Sequence, residues 1–264
     1  EYVTIDDWWA TRDPNTGDLM GVPDKFPSGM ATIGKSIHAQ GCKFGVYSAA
    51  SERTCGNWTA SLFNEKRDAH TMAIEWEIDF LKYDSCLYNG GVASRARYEA
   101  MSRALNATGR KIFYSVEGWN PEEGDWGPEL ANMWRTGSDI WPYWDTCILH
   151  NLYQTNIAAP YNRCGWLLLS PTSLCQASFQ PANRSRVSTV LLSRRHTMAA
   201  AGQLADHAGG GYNDGDMLQP PGDTLMTVRS PGLSSVEAAS QFKLWSIMKA
   251  PLILGVNWQQ LATL

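Results

Sequence analysis

The feature that most constrains this chain is a regular alternation of short apolar runs with longer stretches of helical periodicity. Strand candidates are Tyr2–Ile5, Lys43–Ser48, Phe80–Tyr83, Lys111–Val116, Asp139–Trp141, Leu204–Ala208 and Pro251–Val256. Helix candidates lie between them at Gly29–Gln40, Asn64–Glu75, Ser94–Thr108 and Val236–Met248. Met30, Ile33 and Ile37 recur at helical spacing in the first of these, Tyr98, Met101 and Leu105 in the third, and Phe242, Trp245 and Met248 in the last. Strands separated by helices of about 10–15 residues predict parallel βαβ units. Seven such strands point to a (β/α)8 TIM barrel rather than an open sheet.

Length and composition narrow the function. A chain of 264 residues suits one large domain, so residues 1–264 are expected to form one catalytic barrel, incomplete because seven strands are found rather than eight. An apolar share of 44% is too high for a disordered chain, and a net charge of −4 gives no footprint for a nucleic-acid partner. The longest apolar runs, such as Pro251–Val256, fall far short of the roughly 20 residues a membrane helix needs. The 6 cysteines contain no Cys-x-x-Cys and the 5 histidines no His-x-x-x-His, so neither a metal nor a cofactor is expected. The sequons Asn57-Trp-Thr59, Asn106-Ala-Thr108 and Asn183-Arg-Ser185 permit a secreted protein. Glu1–Ile5 already reads as a strand, which predicts a chain trimmed at its front. Residues 161–203 break the pattern with Pro, Ser and Arg. A structureless stretch of about 40 residues is foreign to a compact barrel. A surface insertion and translated non-coding sequence both account for it.

Acidic residues gather where strands end. Asp6 and Asp7 close the first strand, Asp84 the third and Glu117 the fourth. Asp139 lies with the fifth, and Asp214 and Asp216 follow the sixth. In a parallel barrel the C-terminal strand ends carry the active site. One strand-end Asp is more often a helix cap than a catalyst, but capping does not explain acids at so many ends. In Phe80-Leu-Lys-Tyr-Asp84, strand alternation puts Lys82 and Asp84 on one side. A nearby ammonium lowers a carboxyl pKa, which suits a nucleophile; a structural ion pair is the alternative. Asp139 shares Trp134-Arg-Thr-Gly-Ser-Asp-Ile140 with Arg135. Two carboxylates in opposed environments are what glycosidic cleavage requires. A Gly-x-Ser-x-Gly elbow is absent, Gly209–Gly211 lacks the Lys-Ser/Thr of a phosphate loop, and Asp13–Asp18 lacks the final Glu of a calcium loop and reads as a turn.

The chain resembles the melibiase-type α-galactosidases of glycoside hydrolase family 27, which include α-N-acetylgalactosaminidases. The matching stretches run in family order. They are Ile5-Asp-Asp-Trp8, Lys25-Phe-Pro-Ser-Gly-Met30, Lys43-Phe-Gly-Val-Tyr-Ser48 with Thr54-Cys55, and Phe80-Leu-Lys-Tyr-Asp-Ser-Cys86. Asn106-Ala-Thr-Gly-Arg110, Trp134-Arg135 with Asp139-Ile140, Tyr212-Asn-Asp-Gly-Asp-Met-Leu218 and Leu244–Leu252 follow. The resemblance implies a retaining α-galactosidase with Asp84 as nucleophile and Asp139 as acid/base. Asp6 and Asp7 would hold the 4- and 6-hydroxyls of galactose, and Lys82 a ring hydroxyl. Glu117 and Arg135 would hold the 2-substituent side, with Tyr47, Cys55, Asp216 and Met217 lining the pocket. It further implies a Cys55–Cys86 disulfide, a carbohydrate partner, and a secreted or lysosomal/vacuolar location.

The departures from the family pattern are specific. Its first strand and its C-terminal β-sandwich have no counterpart in the sequence. Trp8 replaces a common Cys, and Val116 and Ala131 stand where another disulfide usually sits. Ser115-Val-Glu-Gly-Trp119 differs from Cys-Glu-Trp, and Gly215 replaces a Pro. N-Acetylgalactosaminidases of the family carry small residues at the position of Glu117, so an acid there favours α-galactosidase. A non-catalytic sugar-binding barrel, an α-N-acetylgalactosaminidase and a β-L-arabinopyranosidase are the alternatives. The pairing of Cys42, Cys147, Cys164 and Cys175 stays open.

Overall fold

A computed structural model of the chain describes residues 2–88, 90–117, 126–152, 212–219, 221, 232–248 and 252–254. The chain divides into two compact units, Glu1–Arg135 and Thr136–Leu264. Residues 161–203 and the strand candidate Leu204–Ala208 lie outside the described residues.

The first unit is a parallel sheet with helical crossovers. Its strands are β1 (Tyr2–Ile5), β4 (Lys43–Ala49), β5 (Phe80–Asp84), β6 (Phe113–Val116) and β7 (Met133–Arg135), hydrogen-bonded in that order. The crossovers are α1 (Met30–Ala39), α2 (Glu65–His70), α3 (Ser94–Ala107) and the short α4 (Gly127–Leu130). Helical spacing is obeyed in α3, where Tyr98, Met101 and Leu105 are buried, but not in the last helix, where Trp245 is buried while Phe242, expected on the same side, is 50% exposed. The expected helix Asn64–Glu75 is split, because after α2 the backbone widens into a π-helical stretch at Thr71–Glu75. A single core joins the elements, with Phe44, Val46, Leu81 and Tyr83 from the sheet against Met72, Tyr98 and Met101 from the helices. Strands buried on both faces read as near-continuous apolar runs, as β4 and β5 do.

An antiparallel hairpin, β2 (Ala10–Arg12) with β3 (Leu19–Gly21), interrupts the first crossover. The Asp13–Asp18 segment is its turn, as expected: Asp13 Oδ1 accepts the N–H groups of Asn15 at 2.7 Å and Thr16 at 3.1 Å. Arg12 anchors the hairpin to α2 by a two-pronged pair to Asp68, 2.8 Å at each contact.

Register decides which side chains meet. β4 pairs β5 with Tyr47 opposite Lys82 and Ala49 opposite Asp84, and β5 pairs β6 with Tyr83 opposite Val116. β1 ends with Ile5 opposite Val46, so Asp6 follows at the level of Tyr47. All these strands are parallel, so Asp6, Asp84 and Glu117 emerge at one edge, the C-terminal one.

The fifth expected strand is displaced. Met133–Arg135, not Asp139–Trp141, forms the strand, because buried Met133 and Trp134 fill the core while Gly137, Ser138 and Pro142 favour a loop. The expected Lys111–Val116 strand starts at Phe113.

In the second unit, a π-helical turn at Trp144–Ile148, β8 (Tyr212–Asp214) and α5 (Ser235–Met248) surround a small core of Ile140, Ile148, Leu152, Leu218, Leu244 and Trp245. Of the expected strand Pro251–Val256, only residues 252–254 are described. There Leu254 makes one parallel bridge with Leu218.

Candidate active site

Asp84 is the centre of the first unit's C-terminal edge. It ends β5 and is only 5% exposed. Its Oδ2 accepts the Tyr47 hydroxyl at 2.8 Å and lies 3.1 Å from Cys55 Sγ. Its Oδ1 accepts the Ser85 N–H at 2.6 Å. Its main-chain carbonyl accepts the Ala50 N–H, also at 2.6 Å. Cys55 and Cys86 form the implied disulfide, which lays both sulfurs against this carboxyl. Among the described residues Cys42 and Cys147 are free thiols.

Glu117 follows β6 and is 2% exposed. Arg135 Nη1 reaches its two oxygens at 3.2 and 3.1 Å, and Lys82 Nζ reaches Oε1 at 3.2 Å. Lys82 also meets Asp6 Oδ2 at 3.3 Å and hangs over the Tyr47 ring at 5.3 Å from its centre. Asp6 is exposed and accepts the Asp7 N–H at 2.8 Å. Asp7 in turn accepts the N–H groups of Trp8 at 2.6 Å and Gly56 at 2.7 Å. A Cβ on Gly56 would run into the Trp8 indole and approach Asp7 Oδ2 to 2.9 Å, so only glycine allows this approach. Asp6, Asp7, Tyr47, Cys55, Lys82, Asp84, Glu117 and Arg135 thus share one edge of one unit.

The electrostatics correct one expectation. Lys82 does favour the ionised form of Asp84, as do the Ser85 N–H and the Tyr47 hydroxyl. Burial and the Glu117 anion outweigh them and hold Asp84 above the ordinary carboxylate range. Lys82 spends its charge on Asp6 and Glu117 as well. For Glu117, burial pushes the carboxyl up, but Arg135 and Lys82 more than reverse this and keep it ionised below its usual range. The Tyr47 phenol is raised by burial and by Asp84, so it stays a proton donor. One edge therefore holds two carboxyls pushed in opposite directions.

The remaining expected residues belong to the second unit. Asp139 is exposed in the loop after Ser138, whose carbonyl accepts from the Asn151 side chain at 2.9 Å. Asp216 accepts the N–H of Ile140, next to Asp139, at 2.6 Å and that of Met217 at 2.7 Å. Asp216 takes φ 73°, rare for a residue with a side chain. Trp245 of α5 fixes this turn by donating to the Asp216 carbonyl at 2.8 Å. A Cβ on Gly215 would meet the Trp245 ring at 2.8 Å, which accounts for glycine at this position. Asp214, noted only as a strand-end acid, accepts the Asp216 N–H at 2.8 Å. Sequence reasoning gave Ser85 and Gly56 no part in the site and read Trp245 only as an apolar helix residue. The first two adjoin Asp84 and Cys55, and adjacency was the available signal.

The sequence model of a family described as Alpha galactosidase A, a melibiase group, matches residues 1–158. An α-galactosidase of Lachancea cidri is 34% identical over 262 residues, 97% of this chain and 49% of that one. The crystal structure of α-galactosidase I from Mortierella vinacea superposes with a TM-score of 0.65 at 31% identity, over 96% of this chain and 57% of that one. The structure of an α-galactosidase from Saccharomyces cerevisiae with raffinose does so with a TM-score of 0.65 at 29% identity, over 97% and 50%. The chain spans about half the length of the curated relatives it matches. The parallel sheet with alternating helices is the architecture of the (β/α)8 barrel in this group. The chain belongs to the melibiase family of α-galactosidases, glycoside hydrolase family 27.

Proposed function

We propose that this protein hydrolyses terminal α-D-galactosides with retention of configuration. The observation that carries the reading is the environment of Asp84: a buried strand-end carboxyl held by the Tyr47 hydroxyl and the Ser85 N–H, at an edge where Lys82, Arg135 and Glu117 are already paired. Asp84 attacks the anomeric carbon and Asp139 protonates the leaving oxygen, giving a covalent galactosyl ester. Asp139 then removes a proton from water, which hydrolyses the ester. Ionised Asp84 is the competent form, and the Tyr47 and Ser85 donors stabilise it. Asp6, Asp7 and Lys82 present acceptors and a cation to the sugar hydroxyls.

Glu117 decides between substrates. Its buried carboxylate, fixed from two sides, occupies the side where an acetamido group would need room, so a free 2-hydroxyl is favoured. Carbohydrate is the partner. The disulfide suits an oxidising compartment, so a secreted or lysosomal/vacuolar location is the fitting one. Among the described residues no helix is long and apolar enough to cross a membrane.

Turnover of nitrophenyl α-galactoside, with little or none of the α-N-acetylgalactosaminide, is the expected result for the full-length protein. Proton NMR of the first product should show the α-anomer. Binding of galactose without turnover would favour a non-catalytic barrel instead, and a β-anomer would refute retention.

A further inference from the structure

Arg97 stands out among residues with no assigned part in the reaction. It lies in the first turns of α3, is 6% exposed, and takes part in none of the ion pairs among the described residues. Burying a guanidinium without a counter-ion costs free energy, and an apolar side chain would fill the same space without that cost. Its hydrogen bonds show where the charge is used. Nη1 donates to the Ala50 carbonyl and, at 2.9 Å, to Ser85 Oγ, while the guanidinium lies 4.0 Å from the centre of the Tyr88 ring.

These two acceptors belong to the two residues whose N–H groups hold Asp84. The Ala50 N–H takes the Asp84 carbonyl and the Ser85 N–H takes Asp84 Oδ1. One nitrogen therefore holds the Ala50 carbonyl and the Ser85 hydroxyl, on the two residues whose N–H groups fix the backbone and the carboxyl of Asp84. Tyr88, two residues beyond the disulfide cysteine Cys86, extends the grip along the loop after β5.

We propose that Arg97 is a positioning residue for the nucleophile: by fixing Ala50 and Ser85 it sets the orientation of the Asp84 carboxyl toward the anomeric carbon. The proposal rests on the reading of Asp84 as nucleophile. Held this way, one oxygen of Asp84 stays on Ser85 and the other on Tyr47, with no freedom to rotate. A misdirected carboxylate loses reaction rate more than substrate affinity, by roughly 10- to 100-fold in kcat.

The test compares Arg97→Met, Arg97→Lys and Ser85→Ala with the wild type in the full-length protein, reading kcat, KM, the pH dependence of kcat/KM and Tm. Arg97→Met should lower kcat by about 10-fold or more at nearly constant KM. It should also move the acid limb of the profile to higher pH, because a loosened Ser85 N–H no longer favours the ionised carboxyl. Arg97→Lys, which keeps the charge and one donor at a time, should recover part of the loss. Ser85→Ala removes one acceptor without touching the core and should shift the limb in the same direction, so it keeps the test decisive if Arg97→Met does not fold. An unmoved acid limb and unchanged kcat in Ser85→Ala and Arg97→Lys would overturn the proposal, even with a lower Tm. Asp84→Gly separates the two levels: if it stays active, Asp84 is not the nucleophile. If it is inactive and azide restores turnover while the Arg97 variants behave as wild type, only the role of Arg97 fails.

Discussion

Replacing Glu117 by Gln perturbs the site at a buried ion pair. Three contacts of 3.1–3.2 Å converge on this carboxylate, two from Arg135 and one from Lys82. Lys82 keeps Asp6 as a second partner, and the Arg135 side chain, 1% exposed, faces an amide in place of the Glu117 anion. Breaking a buried pair from one side costs about 3–5 kcal/mol, because the remaining charge stays desolvated. At roughly 2–4 °C per kcal/mol for a domain of this size, Tm should fall by on the order of 10 °C near neutral pH. The pH dependence has a definite sign. The folded pKa of Glu117 lies below its unfolded value, so its contribution is present above the unfolded value and fades as pH falls through the folded one. The gap between wild type and Glu117→Gln should therefore close in acid. The variant should also shift the acid limb of kcat/KM downward, since the Glu117 anion is among the groups that raise Asp84. Thermal melts of both proteins across the pH range provide the stability data. Equal stability near neutrality, or a gap that does not change with pH, would refute the reasoning.

Further expectations follow from the same geometry. Asp79 accepts the Phe44 N–H at 2.9 Å and pairs with His38 at 2.8 Å and Arg110 at 3.0 Å. Asp79→Ala leaves that N–H unsatisfied at the start of β4 and should cost about 1–3 kcal/mol in urea unfolding, with Asp84 chemistry intact. Reduction of Cys55–Cys86, which are 31 residues apart, should lower stability by about 3–4 kcal/mol on chain-entropy grounds. It should also lower kcat, because both sulfurs pack on Asp84. The double Cys→Ala variant checks this without a reductant. Asp139→Ala should slow galactosides with poor leaving groups far more than the nitrophenyl substrate, and azide should yield the α-galactosyl azide. Equal losses for both substrates would argue against an acid/base role.

Much of the fold was legible in the chain because the relevant signals are local. Helical spacing located α1, α3 and α5, and apolar runs located β1, β4 and β5 to within a residue or so. The misplaced strand shows where local pattern fails. Ile140-Trp141 is as apolar as Met133-Trp134, and only the ladder to β6 selects the earlier pair. The hairpin β2–β3 was missed because its strands have 3 residues each, too short to show alternation. At the site, residue types were readable but their balance was not. That Lys82 attracts Asp84 follows from strand alternation alone. That burial and Glu117 win follows only from the register of β5 with β6, which sets Glu117 beside Asp84. Arg97 was invisible for a related reason, since its partners are a main-chain carbonyl 47 residues away and a serine hydroxyl in the loop after β5.

The role of Asp84 is tested most directly by trapping the covalent intermediate. The full-length protein, inactivated with an activated fluorogalactoside of α-configuration, is digested and mapped by tandem mass spectrometry. A glycosyl adduct on the Asp84 side chain, absent in Asp84→Asn, is the predicted result. A label on another carboxylate, or turnover of the reagent with no covalent adduct, would contradict it.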